Sequence, residues 1–155
     1  MTPCVRELRV SYTPTPSGPL PRLGGPGPAA EILLSRLQHE PVEVCVLLLV
    51  NTQYRLLAVH ELSRGTLDTC IVHPRDVFKA AILANAAGVI VGHNHPSGEP
   101  EPSEDDVALC VRLRDAARII GIELLDFIIV GEGRCRLVIL KPWMSELMLW
   151  PSAAH

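Results

Sequence analysis

Nowhere does the chain carry an unbroken apolar run longer than seven residues, Val44 to Val50, against the ~20 that a membrane-spanning helix needs. That run is expected to be a buried strand, and no membrane partner is expected. Positive charge is not in excess either. With 14 Lys and Arg against 17 Asp and Glu, a net charge of −3 and a pI near 6.0, the chain is not built chiefly to coat nucleic acid, which takes a basic surface that releases counterions. The five cysteines, Cys4, Cys45, Cys70, Cys110 and Cys135, never fall in a C-x-x-C spacing, which disfavours a disulfide framework and a zinc finger. Reduced thiols are expected, the middle ones as small core residues. Met1 to Tyr12 alternates charged and apolar residues with no apolar stretch of the kind a secretory signal carries, so the expected location is cytoplasmic.

What is present is the composition of one folded domain. The 155 residues have a mass of 16.9 kDa and are 48% hydrophobic and 20% charged, which gives a single core and neither disorder nor a fibrous repeat. Between Thr13 and Pro28, six prolines and four glycines occupy sixteen residues, and that composition is expected to run extended. The expected organisation is therefore a Pro/Gly-rich segment over 1–28, a globular domain over 29–141 and a C-terminal extension over 142–155.

Within the domain, the spacing of Ile32, Leu33 and Leu37 predicts a helix from about Ala29 to Gln38, closed by Pro41. Val44 to Val50 and Tyr54 to Leu62 read as a hairpin around Asn51-Thr52-Gln53, and a short strand is expected near Thr69 to Val72. A second helix opens at His73-Pro74 with Val77, Phe78, Ala81, Ile82 and Asn85 as its inner stripe, and Gly88 to Gly92 is a brief strand. Ser103 starts a third helix that Gly121 stops, and Ile122 to Val130 with Cys135 to Leu140 forms a second hairpin. Helices alternating with strands around one sheet give an α/β (α+β) domain.

The chemistry concentrates after the strand that ends at Gly92. His93 and His95 stand two apart, so in extended backbone both rings point to one side and can share an ion. Asp106, in the first turn of the third helix, could supply an oxygen ligand, and two nitrogens with one carboxylate are a usual set for a catalytic zinc that leaves one position to water. Taken singly, the histidines also read as surface residues of a loop stiffened by Pro96, Pro100 and Pro102, and Ser103-x-x-Asp106 as a capping box. The helical wheel favours the site: Leu109, Cys110, Leu113, Ala116, Ala117 and Ile120 form the apolar face with Asp106 in its midst, and a carboxylate aimed at a core must find a cation. Asp105 lies at the edge of that face. An acid/base group is also needed. Glu61 is the candidate, because it ends its strand on the side of Leu57 and Val59, which alternation turns toward buried surface; Glu43, its rival, reads as an exposed strand end, and His60 lies on the opposite face from Glu61. Ser103 could cap the helix or donate to an oxyanion.

With those residues in place, His93-x-His95, seven residues, then Ser103-x-x-Asp106 with an upstream glutamate resembles the JAMM motif of the JAB/MPN metalloproteases. Ser63-Arg64-Gly65-Thr66-Leu67, His73-Pro74-Arg75, Gly92-His93-Asn94-His95-Pro96-Ser97-Gly98 and Pro102-Ser103 resemble the C-terminal domain of the RadC family, across roughly Ala29 to Leu140. The resemblance implies one zinc per chain on His93, His95 and Asp106, acid/base chemistry by Glu61, oxyanion support from Ser103, and the JAB/MPN fold, similar to that of cytidine deaminases, with a mixed sheet flanked by helices. The Pro-Cys-x-x-Cys pair of the deaminases is absent, which disfavours base deamination. The chain departs from the family in place of its usual N-terminal helix-hairpin-helix domain, where a Pro/Gly-rich lead stands as in a short stand-alone form. It departs again at Phe127, where histidine is common, and over Lys141 to Trp150, whose Trp143, Met144, Leu147, Met148, Leu149 and Trp150 suit packing on the domain or a homo-oligomer surface.

Three functions follow as expectations: a zinc hydrolase that cleaves a peptide or isopeptide bond in a peptide or protein substrate through a metal-activated water, an accessory protein of DNA repair or recombination without hydrolase activity, and a metal-dependent nuclease. A DNA partner would need a local basic patch, from Arg112, Arg114 and Arg118 or from Arg134 and Arg136.

Overall fold

The computed structural model describes residues 18–65 and 72–138, isolated positions 7, 9 and 11, and the backbone of 149–151. The chain order is α1 (Pro26–Leu37), β1 (Val44–Val50), β2 (Leu56–Arg64), α2 (Pro74–Leu83), β3 (Gly88–Asn94), α3 (Glu104–Ile120), β4 (Glu123–Val130), β5 (Arg134–Leu137) and β6 (Leu149–Pro151). The strands form one mixed sheet in the order β2-β1-β3-β4-β5-β6. Only β3 and β4 run parallel; the other neighbours are antiparallel. This is the expected α/β arrangement.

Both faces of the sheet are covered, so the central strands are buried throughout rather than alternating inside and out. On one face Ala29, Ala30, Leu33, Leu34 and Leu37 of α1 pack on Val44, Val46, Leu48, Val50 and Ile128. On the other, Val77, Phe78 and Ala81 of α2 and Cys110, Leu113 and Ala117 of α3 pack on Cys45, Leu47, Leu49, Val91 and Phe127. Gly92 lets α1 come close, since a Cβ there would stand 2.5 Å from the methyl carbons of Leu33. No helix among the described residues is long and apolar enough to cross a membrane.

Several local expectations are corrected. Helix α1 starts at Pro26, not Ala29, because prolines in a first turn lack only N–H groups that no helix partner would accept from. The end of the Pro/Gly-rich segment is also tied to the sheet: Leu56 N–H donates to Pro21 O at 2.9 Å, Leu23 N–H donates to Tyr54 O at 2.8 Å, and Leu23 is buried. Strand β2 starts at Leu56 rather than Tyr54, since Asn51 Oδ1 accepts from the N–H groups of Gln53 and Arg55 and Tyr54 takes a left-handed φ of 58° to close the turn. Ile82, expected inside α2, is 56% exposed, and the helix stops at Leu83, with Asn85 beyond it at φ 52°. Helix α3 runs from Glu104 to the left-handed Gly121 as the capping signals predict. The strand expected to begin at Thr69, the residues Cys4 and Cys70, and the side chains of the Trp- and Met-rich tail lie outside the described residues.

Candidate metal centre

His93 is the penultimate residue of strand β3 and is buried; Asp106, in the first turn of α3, is 7% exposed. Among the described residues, these two and His95 form the one group of metal-ligating side chains, their ligand atoms all within 4.8 Å of one another. Asp106 reaches both rings, with Oδ1 3.0 Å from His93 Nε2 and Oδ2 3.2 Å from His95 Nε2. The imidazoles meet edge to face at 5.0 Å, and Phe127, which is fully buried, sets its ring edge-on to His93 at 5.5 Å.

The donor set fits a divalent ion. Bonds of about 2.0–2.2 Å at tetrahedral angles put neighbouring donor atoms about 3.3–3.6 Å apart, close to the two nitrogen–oxygen separations here. His93 Nε2 is buried and has no well-directed hydrogen bond although Asp106 Oδ1 lies 3.0 Å away; a buried nitrogen without a directed partner suits a metal. His95 Nδ1 lies 2.8 Å from the carbonyl oxygen of Glu99, which can only accept, so Nδ1 carries a hydrogen and Nε2, facing Asp106, is the atom that would coordinate an ion in place of a proton.

The electrostatics are those of a carboxylate between two imidazoles. Burial pushes the Asp106 carboxyl up, but the imidazoles of His93 and His95 beside it, together with the Ser103 N–H, outweigh burial and hold the group well below the usual carboxylate range. His95 is raised, chiefly by its hydrogen bond with Asp106 against an opposing effect of burial, with further contributions from the Glu99 carbonyl and the charges of Asp106 and Glu43. Ser103 caps α3: its Oγ accepts from Asp106 N–H at 3.1 Å, while Ser103 N–H donates to Asp106 Oδ2 at 2.7 Å. The capping box and the candidate ligand are thus one carboxylate. Asp105, beside it, is exposed.

Between the two histidines, Asn94 is 2% exposed and spans to the entry of β1. Its Oδ1 accepts from Val44 N–H at 2.8 Å, and its Nδ2 donates to Val42 O at 2.9 Å and to Glu40 O at 3.3 Å.

Glu61 shares the side of Val59, as alternation expects, but not that of Leu57, and it is exposed rather than turned to buried surface. It pairs with Val46, whose side chain packs under α1, whereas Cys45, paired with His93, packs on the other face. Directly opposed strand residues share a face, so Glu61 lies across the sheet from the three ligands. It is exposed there, with Oε1 and Oε2 each 3.0 Å from the Arg64 guanidinium, which also holds Glu40 at 2.6 Å; the Arg64 hydrogen bond lowers the Glu61 carboxyl. His60 is on the opposite side from Glu61, as expected, facing a cavity shared with Leu62, His73, Asp76 and Lys79. Glu43 is the carboxylate on the ligands' side. It precedes Val44 and continues the series Cys45, Leu47 and Leu49, it is half-buried, and its charge reaches His95. Counting by two backward from the seven-residue apolar strand is the signal that would have found it.

Cys45, Cys110 and Cys135 are buried thiols, and burial pushes the Cys110 thiol up to about 11 and the Cys135 thiol up to about 12. Neither of these two is built as a nucleophile.

A family model described as the RadC-like JAB domain matches residues 24–140. A UPF0758 protein of Xanthomonas oryzae pv. oryzae is 42% identical over 123 residues, covering 79% of this chain and 55% of its own; one of Xanthomonas axonopodis pv. citri is 45% identical over 112 residues, 72% of this chain and 50% of its own. A UPF0758 protein of Clostridium perfringens is 37% identical over 113 residues, 73% and 50% respectively. The chain spans about half the length of these curated relatives. A match over this much of the chain, with the two histidines and the aspartate brought together at the ends of β3 and α3, establishes that the chain belongs to the RadC-like JAB domain family.

Proposed function

We propose that the chain is a JAMM-type metallohydrolase that cleaves a peptide or isopeptide bond at one divalent ion held by His93, His95 and Asp106. The observation that carries the reading is the Asp106 carboxylate set between two Nε2 atoms, one of them buried with no directed partner. Two imidazoles and a carboxylate suit zinc. Such an ion, when bound, supplies a positive charge that polarises a carbonyl oxygen and acidifies water.

Glu43 takes the acid/base role in this reading, in place of Glu61. From the ligands' side of the sheet its carboxylate accepts a proton from water and delivers it to the leaving amine, whereas Glu61 is on the far face and engaged by Arg64. Ser103 serves both functions expected of it: its Oγ accepts from Asp106 N–H, and a hydroxyl keeps its own hydrogen to donate, here to the oxygen on which negative charge develops. Compared with this, the DNA-associated and nuclease readings have less support, since Arg134 is paired with Glu99 and Arg136 with Glu101, and Arg118 lies 3.8 Å from Asp115.

The test compares metal content by elemental mass spectrometry in the parent, His95→Ala and Asp106→Ala, and then hydrolysis of a peptide and isopeptide panel by Glu43→Gln and Glu61→Gln proteins. One zinc per chain, lost in both ligand variants, is expected; Glu43→Gln should retain the metal and lose about 10²–10⁴-fold in rate, and Glu61→Gln should stay near the parent. Metal absent from the parent after zinc loading, or a rate that falls with Glu61 and not with Glu43, would refute the reading.

A further inference from the structure

His95 is the ligand with the least support from regular structure. It stands one residue past the end of β3, in a loop whose rigidity must come from its contacts, yet a coordinating ring has to be held within a few tenths of an ångström of its working position. Besides Asp106, the contacts that hold this loop come from the end of β4, the turn that follows it and β5. His95 N–H donates to Val130 O at 2.9 Å, Glu132 N–H donates to Gly98 O at 2.9 Å, and within the loop Gly98 N–H closes back on His95 O at 2.9 Å. Gly131 makes room for this: a Cβ there would run into the Gly98 carbonyl oxygen and stand 2.8 Å from Pro100 Cδ.

Two arginines then reach from β5 across the same loop. Arg134 Nη2 lies 2.6 Å from Glu99 Oε2, and Arg136 Nη1 pairs with Glu101 Oε1. Glu99 is the residue whose backbone carbonyl receives the His95 Nδ1 hydrogen. Its side chain is thereby anchored to β5 while its main chain orients the ligand. Glu101, two residues on, is anchored by the next outward residue of the same strand, and Ser103, two further, opens the helix that carries Asp106.

We propose that the β4–β5 hairpin is a clamp on the metal centre, with Arg134 as a positioning residue that sets the tautomer and direction of His95 through Glu99, and Arg136 holding the same loop through Glu101. The inference rests on the metal-centre reading above but not on any hydrolytic activity. Exposed ion pairs add little to global stability, and the Arg134 and Glu99 side chains are 43% and 68% exposed, so the clamp acts on ligand geometry and its loss leaves the fold intact. Outer partners of a metal-bound histidine set affinity by about 10–100-fold; for a partially exposed pair the lower end, about tenfold, is expected.

The experiment uses the full chain as Arg134→Glu, as the exchanged pair Glu99→Arg with Arg134→Glu, and as Gly131→Ala, and reads two quantities. Zinc affinity is measured by competition with a chromophoric chelator, and the protonated nitrogen of His95 is identified by long-range ¹H–¹⁵N spectroscopy of metal-free protein at a pH where the ring is neutral. The parent should carry the hydrogen on Nδ1. Arg134→Glu and Gly131→Ala should bind zinc about tenfold more weakly and show a mixed tautomer, and the exchanged pair, which keeps the backbone carbonyl at position 99, should recover to near parental affinity. An exchanged pair as weak as the single variant would overturn the clamp, as would a single variant with parental affinity and tautomer. A parent that binds no zinc but shows the expected tautomer pattern would remove the metal-centre reading and support the clamp on its own.

Discussion

Replacing Gly92 with alanine drives a methyl group into α1. The new Cβ would stand 2.5 Å from both terminal carbons of Leu33, a side chain with no exposed surface, so relief requires a rotamer change in a filled core or a shift of the helix. Overpacking of this kind costs about 1–3 kcal/mol, while alanine in a strand recovers about 0.5–1 kcal/mol over glycine; the net expectation is a loss of about 1–2 kcal/mol. For a chain of this length that is a fall of about 2–8 °C in melting temperature, read by calorimetry on metal-free protein. The cycle with Leu33→Ala is the sharper test. Alone, Leu33→Ala should cost about 2–5 kcal/mol through the cavity it leaves, but in the double variant the methyl added at position 92 enters that cavity, so the two losses should fall short of additive by about 1 kcal/mol or more. Zinc affinity should be unchanged, because Gly92 faces α1 and His93, the next residue along the strand, faces the other way. A neutral Gly92→Ala, or strict additivity, would show that α1 does not approach β3 as closely as described.

Two further outcomes follow from the titrating groups. Arg64→Gln should return the Glu40 and Glu61 carboxyls, both lowered chiefly by their hydrogen bonds to Arg64, toward ordinary values in an NMR pH titration. Because a depressed carboxylate contributes stability above its unfolded pKa and loses it as pH falls through the folded one, the parent's advantage over Arg64→Gln should be present at neutral pH and vanish in acid. Cys110 and Cys135, with thiols raised to about 11 and about 12 by burial, should resist iodoacetamide at about pH 8, where a free thiol begins to ionise, in folded protein and react on denaturation, as followed by peptide mass spectrometry; rapid labelling of either in the native state would contradict their burial.

The grouping of His93, His95 and Asp106 was legible from sequence because a single carboxylate in the apolar stripe of α3 calls for a cationic or hydrogen-bonding partner, and the His-x-His spacing supplied one. The side of the sheet that Glu61 faces was not. Alternation along a strand says that Glu61 and His60 face opposite ways, but this sheet is covered on both sides, so a buried direction exists on each, and nothing within β2 tells which one holds His93. That choice is made by pairing: Val46 opposite Glu61 and Cys45 opposite His93, with a register shift between Cys45 and Val46 that local pattern does not reveal. The start of α1 was hidden for another reason, since Pro26, Gly27 and Pro28 look like a breaker in composition while their position at the first turn makes the prolines harmless. The turn at Tyr54 likewise depends on an Asn51 side chain replacing backbone partners.

Asn94 bears on how the centre responds to an arriving ion. With three hydrogen bonds from one amide to Glu40, Val42 and Val44, it splices the strand that carries His93 to the segment on either side of Glu43. The His93 end of β3 and the segment around Glu43 therefore belong to one rigid body, and neither can shift toward an ion without the other. The ordering entropy of this part of the centre is spent during folding, so an ion bound by His93 should leave the backbone of β3 and of the Glu43 segment unchanged.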